Sequence, residues 1–71
     1  MNEDASVWEL KISNNSRRLN QLNQIYVELH HERRLSEDEG EKQILTYALN
    51  NVRAATNNLA DLTSYYLDKE E

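Results

Sequence analysis

The chain reads as all-α, an antiparallel hairpin of two long helices completed by a partner or by dimerisation. Three observations predict it. Leu45, Ala48, Val52, Ala55, Leu59, Leu62 and Tyr66 recur at steps of three and four without a missed position, the period of a helix that buries one stripe. A second stripe of the same period, Trp8, Ile12, Asn15, Leu19, Leu22, Tyr26 and Leu29, precedes it. The composition has no proline and one glycine, Gly40, whereas strand-rich folds need frequent turn residues.

Residues 1–5 are polar and acidic and are expected to fray. Helix 1 is expected over 6–34. Ser6 and Glu9 have capping-box spacing, in which the serine oxygen takes an orphan N–H and the glutamate reaches back. Asn15 is the one polar residue in its stripe, and the Ser13-Asn14-Asn15-Ser16 run is a poor helix former. Helix 1 therefore either continues through Asn15 or breaks there. Arg33 and Arg34 close it, where positive charge complements exposed carbonyls.

A turn is expected at 35–36 and helix 2 over 37–69. Ser36 and Glu39 repeat the capping-box spacing, and Glu37, Asp38 and Glu39 would fill the first turn with negative charge. Gly40 is the weak point, since a longer loop would move the start to Glu41. Asp38 and Lys42 are spaced to pair at i, i+4. With the helices antiparallel, each seam residue finds a partner whose number sums with its own to 74, from Leu29 with Leu45 to Asn15 with Leu59 and Trp8 with Tyr66.

Length and charge bound the function. A 71-residue chain is one small domain, and chains of this size usually need a disulfide, a metal or a partner to be stable. Cysteine is absent and His30 and His31 are the only histidines, which leaves a partner. Residues 6–35 carry a net +2 and residues 36–71 a net −5, within a total of −5. Such a field does not draw the chain to nucleic acid or anionic membranes. The start, Met-Asn-Glu-Asp, has no basic n-region or apolar h-region, so no signal peptide is expected and a cytoplasmic location is. No stretch has the apolar length of a membrane span.

No catalytic constellation stands out, and no enzyme, cofactor or metal is expected. Glu28-x-x-His31 has the spacing of a carboxylate-bridged di-iron ligand pair, but His31 falls opposite the Tyr26–Leu29 seam. Lys11, Arg17, Arg18, Arg33 and Arg34 give helix 1 a modest basic complement, opposed by the negative charge of helix 2. What the hairpin leaves over is apolar. Ile44, Tyr47, Ala54 and Tyr65 continue the surface of helix 2 to one side of the seam, interrupted by Asn51 and Asn58, and Ile25 flanks the same side. Apolar strips rimmed by amides mark protein interfaces, so Ile25, Ile44, Tyr47, Asn51, Ala54, Asn58 and Tyr65 are the expected partner-binding residues.

The stretch from Leu45 to Leu62, with Asn57 and the tyrosines Tyr65 and Tyr66, resembles the small YscE-like co-chaperones of bacterial type III secretion needle subunits, in the branch found in enteric pathogens. The resemblance covers about half of the chain. Trp8 and the longer helix 1 go beyond the core pattern. The resemblance implies a cytosolic, non-enzymatic subunit. It would stabilise a tetratricopeptide-like, helical-repeat chaperone, and the two together would keep the needle protein unpolymerised before export. The alternatives are a homodimeric four-helix bundle acting as a regulator or RNA-binding protein, and a small phage-type inhibitor or adaptor.

Overall fold

The computed structural model describes residues 5–70, which form two helices, α1 over Ala5–Leu35 and α2 over Glu39–Glu70. They pack on each other as a hairpin, with no strand among the described residues. The expectation for residues 1–4 lies outside the described residues; Ala5, expected to fray, is already in α1, so Ser6 sits inside the first turn. The hairpin is a rod of 59 × 14 × 12 Å with a radius of gyration of 16.5 Å. A globular chain of this length would have a radius of about 11 Å.

α1 is continuous through Asn15, which settles the alternative left open by the sequence. The reason is tertiary. An asparagine weakens a helix when its amide competes for nearby backbone, but this amide is engaged across the seam. Asn15 Nδ2 donates to the Leu59 carbonyl at 2.7 Å and to Thr63 Oγ1 at 2.9 Å, and the side chain is fully buried. The next amide is also occupied, since Asn14 Oδ1 accepts from Arg17 Nη1 at 3.4 Å.

The antiparallel register agrees with the pairing arithmetic at two contacts, whereas Asn15 with Thr63, Tyr26 with Arg53 and Arg33 with Thr46 lie four or five residues beyond it along α2. Asn15 meets Leu59, and the Trp8 and Tyr66 rings lie 6.0 Å apart at the open end. Lys11 Nζ sits 4.6 Å from the centre of the Trp8 ring, a cation–π contact that covers this end. Every residue of the two stripes is buried or half-buried.

The centre of the core differs from the expected seam. Among the described residues its one buried apolar side chain is Leu49, 4% exposed, which the stripe of helix 2 omitted. Ala48 and Ala55 offer little bulk, and a helix of 3.6 residues per turn drifts against a strict seven-residue repeat. The contact line on α2 therefore rotates toward Leu49, Thr56 and Thr63. The threonines accept half-burial because their hydroxyls donate to the carbonyl one turn back, Thr56 to Val52 at 2.9 Å and Thr63 to Leu59 at 3.3 Å.

The turn also departs from expectation. It spans residues 36–38, and the residue capping α2 is Asp38. Asp38 Oδ1 accepts the Glu41 N–H at 3.0 Å, and its carbonyl accepts the Lys42 N–H at 2.9 Å. The box spacing recurs two residues on, as Asp38 to Glu41, and frees Ser36 to shape the link. Ser36 Oγ accepts the Asp38 N–H at 3.2 Å and donates to the Glu41 carboxylate at 2.5 Å. With Asp38 committed to the cap, Lys42 pairs instead with Glu39 at 3.5 Å, an i, i+3 contact in place of the expected Asp38 pair. Gly40 lies within the first turn of α2 with no positive φ, so it does not lengthen the loop.

Two predictions follow from these contacts. Asn15 Oδ1 is buried without a hydrogen-bond partner among the described residues, and an orphan acceptor of this kind costs about 1–3 kcal/mol. Asn15→Leu is expected to raise unfolding free energy by about 1 kcal/mol, while Asn15→Asp, which buries a charge, lowers it by about 2 kcal/mol or more. Urea unfolding followed by circular dichroism measures both. In the same assay Asp38→Ala is expected to cost about 1 kcal/mol and Ser36→Ala less; the reverse order would return the cap to Ser36.

Candidate protein-docking site

Two helices cover each other along one line only, and the core that results is thin. Among the described residues Leu49 and Asn15 alone are buried, while nine large hydrophobic side chains are exposed. The chain presents 5518 Å² to solvent, where a compact monomer of its mass would present about 4,600 Å². The surplus of about 900 Å² is close to the ~800 Å² that one partner buries in an interface of standard size.

The seven expected partner-binding residues, Ile25, Ile44, Tyr47, Asn51, Ala54, Asn58 and Tyr65, are all exposed. Ile44 is 68% exposed, Tyr47 57%, Tyr65 54% and Ile25 43%. On α2 they follow one another at steps of three, four or seven, which places them on one stripe, and helical geometry sets Ile25 of α1 on the same side of the seam. The rotation of the core toward Leu49 explains why this side is left open, since every degree that brings Leu49 inward turns Ile44 and Asn51 outward. Asn51 and Asn58 make no side-chain hydrogen bond among the described residues, so their amides are available to a partner. Tyr47 accepts from Gln43 Nε2 at 2.9 Å. Tyr65 stands edge-on to Tyr66 at 6.1 Å with Lys69 Nζ 5.3 Å from its ring centre. These contacts hold both rings at the surface instead of letting them fold into the seam.

Sequence reasoning missed one member of this side. Val7, 37% exposed, lies five helical turns before Ile25, a spacing masked by the polar residues between them. It also missed what lies across the seam. There two open grooves run between the helices, one of about 580 Å³ lined by residues that include Ser16, Arg17, Asn20 and Leu67, the other of about 310 Å³ lined by Asn23, Tyr26, Arg53 and Thr56.

The remaining candidates do not assemble. Among the described residues no three His, Cys, Asp or Glu side chains converge as they would around a metal ion. His30 stacks on Tyr26 at 6.2 Å, and His31 is exposed. The five basic residues of α1 do not form one face: Lys11 covers Trp8, Arg17 reaches Asn14, and Arg33 turns into the seam to donate to Thr46 Oγ1 at 3.3 Å. Among the described residues no helix is long and apolar enough to cross a membrane.

No family model, curated protein or solved structure matches this chain.

Proposed function

We propose that this chain is a non-enzymatic, protein-binding co-chaperone. Its partner would be a helical-repeat chaperone of the tetratricopeptide-like kind, and through it a type III secretion needle subunit kept unpolymerised in the cytoplasm. The observation that carries the reading is the exposed apolar stripe beside the seam, on a hairpin with a thin core. Four large exposed apolar side chains, Ile25, Ile44, Tyr47 and Tyr65, lie on one side of the seam. The needle-subunit part of the proposal rests on the resemblance of Leu45–Leu62 and the two tyrosines to YscE-like co-chaperones.

The mechanism is mutual burial. A helical-repeat partner offers a concave, groove-lined surface of stacked helices, into which a rod of two helices fits lengthwise. Removing an apolar stripe from water stabilises both chains by about 25 cal/mol per Å² before the costs of association. Asn51 and Asn58 would fix the register by hydrogen bonding, because an amide buried without a partner is penalised.

A tagged pull-down from the native host, with mass spectrometry of every co-purifying protein, is expected to recover a helical-repeat chaperone and a small needle-like subunit. Ala54→Arg is expected to weaken that complex about a hundredfold or more, since an uncompensated charge would be buried, while the helix content of the free chain stays unchanged. Undiminished affinity in Ala54→Arg would remove the stripe as the docking face. A chain that sediments as a dimer by itself and captures no partner would replace the proposal with a homodimeric bundle.

A further inference from the structure

The charges of the hairpin are sorted along its length. On α1 the stretch between Glu9 and Glu28 contains Lys11, Arg17 and Arg18 and no acidic residue; on α2 the stretch between Glu41 and Asp61 contains only Lys42 and Arg53. The antiparallel packing sets these two stretches side by side. Most acidic residues are thereby placed toward the ends of the rod, Glu28, Glu32, Glu37, Asp38, Glu39 and Glu41 toward the turn and Glu9, Asp68 and Glu70 toward the other end, with Asp61 nearer the middle. A chain of net charge −5 thus has a basic waist.

At that waist lies the groove lined by Asn23, Tyr26, Arg53 and Thr56, on the side of the seam away from Ile25 and Ile44. Arg53 Nη2 donates to the Tyr26 phenol oxygen at 2.6 Å, and its guanidinium carbon lies 5.7 Å from the centre of the Tyr26 ring. His30 stacks against the same ring. The guanidinium is therefore held by a residue of the other helix, and among the described residues it has no carboxylate partner. Its remaining N–H groups, the Tyr26 O–H and the Asn23 amide all retain donors, while the Thr56 hydroxyl is spent on the Val52 carbonyl. The groove is rich in donors and holds one fixed positive charge, the complement of a carboxylate. Its volume of about 310 Å³ equals that of about ten waters, enough for an acidic side chain to enter from above.

We infer that this groove is a second recognition site, which seats one Asp or Glu side chain of a protein partner through Arg53, Tyr26 and Asn23. It lies across the seam from the apolar stripe, so it deepens the proposed function by giving a partner that wraps the rod a polar anchor. A polynucleotide fits less well, because its repeated charges would extend from the waist onto the acidic ends and the groove offers a single guanidinium.

The test is a titration of the full-length, ¹⁵N-labelled chain with sodium acetate at constant ionic strength, with acetamide and sodium chloride as controls. Saturable shifts confined to the Arg53 side chain, the Asn23 amide and their neighbours are expected. Arg53→Gln should abolish them, and Tyr26→Phe, which keeps the charge but loses the phenol, should weaken them about fivefold. Shifts that match chloride, fail to saturate, or spread over Arg17, Arg18 and Arg34 would overturn the seat. So would tighter binding of a decauridine RNA at the same resonances. The titration needs no partner, so its failure is distinct from failure to recover one: a complex captured equally well by Arg53→Gln removes the seat and leaves the apolar stripe standing.

Discussion

Two helices can touch along only one line, and that geometric limit governs everything else in this hairpin. Each helix presents about a third of its circumference to the other, so a side chain in the seam has protein on one side and solvent at its edges. A chain of this length with no cysteine has no covalent means of making up the difference. The result, among the described residues, is a core of one buried hydrophobe, Leu49, and one fully buried amide, Asn15. Nine large hydrophobic side chains among the described residues are left outside it.

Which surface is left outside follows from the position of the contact line on α2. Alanines at 48 and 55 let α1 approach closely but fill little volume, and the line settles between them and Leu49, Thr56 and Thr63. Threonine can serve there because its hydroxyl is satisfied within its own helix. The cost of this solution is borne by the opposite flank, where Ile44 and Ile25 stay wet. Asn15 adds direction. Its amide can face the Leu59 carbonyl only by its NH₂ group, so the register that satisfies it is the one observed. The buried acceptor left on its other atom is a cost in stability accepted along with a unique register.

Much of this was legible in the residues. The two stripes, the hairpin, the pairing of Asn15 with Leu59 and Trp8 with Tyr66, and the exposure of Ile25, Ile44, Tyr47 and Tyr65 follow from helical period alone, because period fixes which side chains share a face. What was not legible depended on energies that period does not contain. The cap moved from Ser36 to Asp38 because the same spacing occurs twice within six residues and only the closed turn selects between them. Leu49 entered the core because neighbouring alanines are small, which is a property of packed volume and not of sequence spacing. The Tyr26–Arg53 contact joins residues of two helices, and no local pattern announces it.

The central claim is that the stripe through Ile44, Tyr47, Asn51, Ala54 and Asn58 is covered by another protein in the cell. Site-specific photo-crosslinking in the native host tests it most directly, with the crosslinker placed at Ala54 on the stripe or at Gln24, which is exposed on the face of α1 turned away from α2. A defined crosslinked species to a larger helical-repeat protein is expected from position 54, and little or none from position 24. Equal labelling from both positions, or a product from position 24 alone, would contradict it.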